Sequence, residues 1–241
     1  MPDIKVSDIE INVVHKDVKN LHLSILPPDG TVRITAPLSM NEDAIRLFAV
    51  SKITWIKKSQ TKYLEQARQT EREYVSGESH YLKGQRFLLN VITGHNKSKV
   101  EIRNKTYIDL YVPQEADLNK RKAVMSKWYR KLLETELDLL VPKWQEVMNI
   151  SDVQYQIKDM KTKWGSCKAE ENRIWINLNL IKKPIHCLEY VIVHEMAHLS
   201  ERSHNERFVA YMNQFLPNWR QYRQELNEFI LDYSEWDRQA V

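Results

Sequence analysis

Apolar and polar positions alternate at the start of the chain: Ile9, Ile11 and Val13, then Leu21, Leu23 and Ile25, then Val32 and Ile34. A period of two predicts half-buried strands, and Pro27-Pro28-Asp29-Gly30 between two of them is turn chemistry. From Asn41-Glu42-Asp43 the period becomes helical, with Ile45, Phe48, Ala49, Ile53 and Ile56 on one side, and predicts one long helix to about residue 68. Alternation returns in Phe87, Leu89 and Val91, in Val100 and Ile102, and in Ile108, Leu110 and Val112, with Gly94-His95-Asn96 as a loop. From Asp117 to about residue 149 the pattern is helical on Trp128, Leu132, Leu133, Leu137, Leu140 and Val141, and Pro142 is expected to kink or break it. Short strands are expected at 153–160 and 173–178, and helices over the rest. No internal repeat is legible. The change of character at Pro113 predicts an α+β chain in two parts: a β-rich N-terminal subdomain with one long helix over 1–112, and a mainly helical domain over 113–241.

Composition narrows the function classes. With 42% hydrophobic and 28% charged positions in 241 residues, collagen-like and disordered readings are out. The five glycines form neither G-x-G-x-x-G nor a P-loop, so a nucleotide-fold fingerprint is excluded. Cys167 and Cys187 make no C-x-x-C pair, which excludes a disulfide scaffold and predicts a reduced, cytoplasmic setting. The first residues lack the apolar core of a signal peptide, and every apolar run is far short of the ~18 residues of a membrane span, so no membrane partner is expected. A net charge of +4 permits an anionic partner without arguing for one.

The chemistry concentrates in one segment, where three of the eight histidines fall between His194 and His204. His194 and His198 are four apart on a predicted helix that starts near Lys183-Pro184, so both imidazoles lie on one face, one turn apart, and can share a metal. Glu195 follows the first and can reach a metal-held water without being a ligand, the H-E-x-x-H pattern of zinc hydrolases. His204 comes six residues after His198, so the chain must turn to bring it back. Ser203-His204-Asn205-Glu206 reads as a capping box that starts a new helix on Phe208, Met212 and Phe215, with Pro217 at its end. The expected result is one Zn²⁺ on His194, His198 and His204 with an open position for a water whose pKa falls towards ~7, and Glu195 as the catalytic base. Imidazole ligands also suit Mn, Ni or Fe.

A second patch runs from Lys158 to Lys168, with four lysines around Trp164-Gly165-Ser166-Cys167. It reads either as a solvated basic turn or as a wall of the site, in which Gly165 lets the backbone approach closely. Cys167 suits a small buried hydrophobe or a second metal or redox residue, and Cys187 lies two turns before His194, too far to share its metal. Lys120, Arg121, Lys122, Lys127, Arg130 and Lys131 make a basic helix face beside Trp128 and Tyr129; a solvated face is the simpler reading, with nucleic acid as the weaker one.

Four motifs in order resemble the YgjP-like family of zinc metallopeptidases and metal-dependent hydrolases, and more distantly the SprT-like and Wss-type zincins. They are Lys163-Trp164-Gly165-Ser166-Cys167, Arg173-Ile174-Trp175-Ile176-Asn177-Leu178-Asn179, Tyr190-Val191-Ile192-Val193-His194-Glu195-Met196-Ala197-His198, and His204 with Phe208. The resemblance covers most of the chain and implies a zincin-like C-terminal core, a small sheet over an active-site helix. It also implies that His194, His198 and His204 are ligands with Glu195 as base. Lys163, Trp164, Gly165, Ser166 and Asn177 become the candidate substrate contacts. Lys163 stands where the family usually has Arg, and Glu201 stands where metzincins have Gly. Peptide hydrolysis is the activity implied first. Pyrophosphohydrolysis of a nucleoside triphosphate such as UTP is the alternative, to which the lysines of 158–168 lend physical sense.

Overall fold

The computed structural model of the chain describes residues 3–26, 31–65, 72–160 and 163–228. Those residues form eleven strands in three small sheets and six helices, an α+β architecture in two compact units. The Pro27–Gly30 turn and the far end of the first long helix lie outside the described residues.

In the first unit β1 (Asp3–Val6), β2 (Ile9–Lys16), β3 (His22–Leu26) and β4 (Thr31–Pro37) form a sheet in the order β1-β2-β4-β3. The inner pair is parallel and both outer pairs are antiparallel. The alternating Ile11, Val13, Val32 and Ile34 are buried in one core with Ile45, Ala49 and Ile56 of the helices that follow. Those helices are α1 (Glu42–Ser51) and α2 (Ile53–Glu65), where the sequence predicts a single helix. The Ser51 hydroxyl donates to the Phe48 carbonyl at 2.7 Å, and the Lys52 N–H turns back to Ala49 at 3.1 Å. A side chain competing for backbone partners thus closes the first helix at Lys52.

The second unit opens with β5 (Ser79–Leu82), β6 (Gln85–Ile92), β7 (Lys99–Arg103) and β8 (Tyr107–Tyr111), in the order β5-β6-β8-β7. Again the inner pair is parallel and the outer pairs are antiparallel. The likeness to the first sheet extends to the exit turn. Met40 N–H bonds the Pro37 carbonyl at 3.1 Å, and Ala116 N–H bonds the Pro113 carbonyl at 3.1 Å. Four residues after each proline comes the helix cap: Asn41 accepts from the Ala44 N–H at 2.9 Å, and Asp117 from the Lys120 N–H at 2.7 Å. The chain therefore contains a structural repeat, contrary to the sequence reading. Strand alternation is too generic a pattern to reveal it.

Pro113 is part of that exit turn and is not the boundary between the units, which falls between the described residues 65 and 72. The β5–β6 hairpin belongs with the C-terminal elements because its backbone is bonded to them. Lys83 N–H donates to Ile181 at 2.8 Å and Gly84 N–H to Lys182 at 3.1 Å. At Gly84, whose φ is +81°, a Cβ would lie 2.8 Å from the Pro184 ring, so only glycine permits this approach.

Helix α3 (Leu118–Met148) runs through Pro142 without a break. Leu137, Leu140, Val141, Trp144 and Met148 are buried on both sides of the proline, and this packing holds the two halves in one helix. Tyr129, not Trp128, takes the buried position of the expected stripe. A three-stranded sheet follows, ordered β10-β11-β9, from β9 (Gln154–Lys158), β10 (Gly165–Lys168) and β11 (Arg173–Asn177). β9 runs parallel and β10 antiparallel to β11. The sequence reading lacks β10, whose four residues do not alternate; its register comes from pairing with the alternating Ile174 and Ile176. Helices α4 (Ile185–Ser200), α5 (Glu206–Phe215) and α6 (Trp219–Glu228) complete the unit. Among the described residues no helix is long and apolar enough to cross a membrane.

Candidate metal centre

Helix α4 follows directly on Pro184, which stands at its N-cap and needs no N–H there. Its centre is enclosed on all sides, with Tyr190 to Ala197 all buried. His194 and Glu195 are therefore polar groups in a core, 4% and 3% exposed, and such groups need partners.

The Nε2 atom of His198 lies 3.2 Å from that of His194 and 3.1 Å from that of His204, and the last two are 3.1 Å apart. His198 Nδ1 is 3.0 Å from the Glu201 carbonyl, which only accepts, so in the neutral ring the proton sits on Nδ1 and Nε2 presents a lone pair to the cluster. Each neutral imidazole brings either one N–H or one lone pair to this triangle. Three members with two states always leave one edge with two donors or two acceptors. A single cation near the centre resolves this, because it takes a lone pair from all three rings. Burial supports the neutral state: it holds the His194 imidazole well below its ordinary pKa, with the neighbouring histidines adding to the effect. Burial also lowers His198, although the Glu201 carbonyl opposes the shift. Neutral imidazole is the form that binds metal, so the residues present fit a divalent ion. Phe208 packs against all three rings, with centroids 4.7–4.9 Å away, and forms the floor beneath them.

His204 reaches the cluster from the turn between α4 and α5, not from the first turn of α5. The cap of α5 is Asn205, whose side chain accepts from the Phe208 N–H at 3.1 Å, whereas the Ser203 N–H is held by the Glu201 carboxylate at 3.2 Å. The capping box read from Ser203 is thus displaced by two residues, because the Asn205 carboxamide occupies the N-cap position.

Glu195 lines the same cleft as the three histidines, a cavity of about 440 Å³. Burial pushes its carboxyl pKa up to about 8, and the positive charge of Lys163 partly offsets this. Gly165 of β10 backs directly onto the carboxylate: a Cβ built there would lie 2.5 Å from Glu195 Oε1 and 2.7 Å from its Cγ. The close approach expected at this glycine is therefore to the candidate base itself.

Lys163, Gly165 and Ser166 line the cleft, while Trp164 and Asn177 are buried outside its lining. The Asn177 side-chain amide donates to the Met160 carbonyl at 2.8 Å and the Lys163 carbonyl at 2.7 Å, and its backbone N–H donates to Trp164 at 2.8 Å. It holds the segment entering β10 in place. The basic patch disperses: Lys158 lies over the Trp175 ring, Lys168 pairs with Glu171, and Lys161 is outside the described residues. Among the described lysines of that patch only Lys163 lines the cleft. Cys167 lines it too, as a neutral thiol whose pKa burial pushes up to about 12, with Glu195 and Glu170 adding to the shift. Glu170 and Arg202, joined at 2.7 Å, complete the wall. Sequence reasoning missed this pair, because thirty-two positions separate them and neither belongs to a recognisable pattern.

An α+β unit that gathers three histidines and a buried glutamate in one cleft has the makings of a metal-dependent hydrolase. The family model "YgjP-like, metallopeptidase domain" matches residues 19–229, and the chain belongs to this family of metallopeptidase-type, metal-dependent hydrolases. No curated protein matches the chain significantly. Among solved structures, the metallopeptidase zymogen of Pyrococcus abyssi abylysin is similar at 15% identity and a TM-score of 0.36, over 37% of this chain and 90% of that one.

Proposed function

We propose that the chain is a zinc-dependent peptidase with a zincin-like core, in which His194, His198 and His204 hold the metal and Glu195 is the general base. The convergence of three Nε2 atoms, 3.1–3.2 Å apart, is the observation that carries this reading. Zn²⁺ is the proposed ion because three imidazoles with an open fourth position are one of its catalytic ligand sets. When bound, such an ion supplies Lewis acidity, polarising the scissile carbonyl and lowering the pKa of water beside it towards ~7. Glu195 takes the proton of the attacking water and passes it to the leaving amine. Burial alone raises this carboxyl to about 8, and a cation held by the neighbouring histidines would lower it towards the ionised form that a general base needs.

The proposed substrate is an extended peptide. β10 is an edge strand of its sheet, and Gly165, Ser166 and Cys167 line the cleft. A peptide lying along that edge gains main-chain hydrogen bonds by strand addition, with Lys163 and Ser166 as polar contacts. Trp164 and Asn177 act by positioning β10, not by touching substrate. A triphosphate would need a concentration of cations, and the dispersal of the lysine patch removes the observation that favoured it. In the Glu195→Gln variant the metal content should stay at the wild-type level, while hydrolysis of an unstructured protein substrate falls by roughly 10²–10⁴-fold. Unchanged turnover overturns the assignment, and pyrophosphate release from UTP by the wild type would restore the nucleotide reading.

A further inference from the structure

Away from the cleft, a second set of donors of three chemical kinds converges between α4 and α6. His186 and Cys187 lie in the first turn of α4 and Glu225 lies on α6; one donor atom from each falls within 4.8 Å of the others. His186 Nε2 is 2.6 Å from Glu225 Oε2. The Cys187 thiol is fully buried and bonds weakly to the Tyr222 carbonyl at 4.0 Å. The Tyr222 ring packs on the His186 imidazole, centroids 4.8 Å apart, and restricts its orientation. None of these residues lines the three-histidine cleft.

We propose that His186, Cys187 and Glu225 form a second metal site, structural in role, that takes Zn²⁺ and ties α6 to the start of α4. The donor set selects the ion. Thiolate with imidazole suits zinc, and a sulfur ligand excludes the hard cations Mg²⁺ and Ca²⁺. Bonds of 2.0–2.3 Å at tetrahedral angles set donors roughly 3.3–3.6 Å apart. The His186–Glu225 contact must open and the thiol must close in, each by about an ångström, within the reach of side-chain rotation. His186 and Glu225 are each about one-third exposed, at 37% and 34%, so the site has one solvent-facing side for entry and for a water as fourth ligand. Burial and the Glu225 charge push the Cys187 thiol up to about 12, so a bound metal ion must displace its proton, as it does from any coordinating thiol. Helix α6 is otherwise polar, with Leu226 and Trp219 its buried apolar residues among those described. A cross-link to α4 adds to the anchorage that those two residues and the Tyr222 contacts give this short helix.

Cobalt(II) titration of the metal-stripped full chain tests this, because cobalt bound to sulfur shows a thiolate charge-transfer absorption that cobalt on histidines alone does not. Two equivalents should bind, one of them with that absorption. Cys187→Ser should remove the absorption and one equivalent, while Cys167→Ser keeps both. Glu225→Gln, which leaves the core untouched, should weaken the second equivalent by at least about tenfold. One equivalent without the absorption, or an absorption that survives Cys187→Ser, overturns the second site and leaves the three-histidine reading standing. No binding at all overturns both.

Discussion

Replacing Gly165 by alanine adds one methyl group at the most crowded point of the cleft. The new Cβ would stand 2.5 Å from Glu195 Oε1, 2.7 Å from Cγ and 2.8 Å from Cδ, where ordinary contact begins near 3.4 Å. Gly165 is not in the left-handed region of backbone space, so alanine meets no conformational objection and the effect is purely steric. The strand cannot retreat easily, since Gly165 is in register with Ile176 and the Trp164 carbonyl is held by the Asn177 N–H. The carboxylate must therefore move by about 0.9 Å. A misplacement of about 1 Å costs on the order of 10²-fold in rate, equivalent to about 2.7 kcal/mol of barrier at 1.36 kcal/mol per tenfold. Overpacking adds about 1–3 kcal/mol of instability, roughly 2–4 °C in Tm per kcal/mol for a unit of this size. The assay is kcat on a peptide substrate with metal content and Tm measured on the same sample. The expected result is a folded protein with its metal and about one-hundredth of the turnover. Activity within about threefold of wild type, with metal retained, would refute the placement of Glu195 against β10.

Other outcomes follow from the same geometry. Asn177→Ala strips the Met160 and Lys163 carbonyls of their donor and should cost about 2 kcal/mol; an unchanged Tm would contradict its role in holding the approach to β10. Asn205→Ala removes the α5 cap and should cost about 1 kcal/mol and speed metal loss through His204, whereas Ser203→Ala should do neither; equal effects would return the cap to Ser203. The metal-free protein should show opposing pH dependences. Burial raises Glu195 from 4.5 to about 8, so the stability it contributes is full below about pH 4.5 and is lost as pH rises towards 8. His194 and His198 are lowered, so their contribution is full above about pH 6.5 and is lost on acidification. Denaturant unfolding of metal-free Glu195→Gln against metal-free wild type should therefore favour the variant increasingly from pH 5 to pH 8, by on the order of a few kcal/mol; a difference independent of pH would count against a buried carboxyl.

Much of this was legible because the residues carry strong local signals. Ile11 and Val32 alternate with polar neighbours and are buried, and a His-Glu-x-x-His run on an apolar helix announces its chemistry at a distance of four residues. The misses have physical causes. β10 exists through its partner strand, not through its own pattern. α1 ends at Lys52 because of a hydroxyl three residues from its acceptor, a contact no periodicity records. The cap at Asn205 displaced Ser203 because both residue types suit that role and only the direction of the chain decides between them. Asn177 looked like a substrate contact because it stands in a motif beside the site, yet its amide is spent on backbone carbonyls.

The twice-used arrangement of four strands, proline turn and capped helix serves two different ends. The same sheet order, parallel inner pair and cap offset from proline deliver a helix at the same point of each sheet. Only the second copy belongs to the unit that carries the histidines. In the first, the helix stops at Lys52 and exposes Leu47 and Val50, at 71% and 51%. The same architecture therefore ends in a 31-residue helix in the unit that holds the histidines and in a ten-residue one in the other.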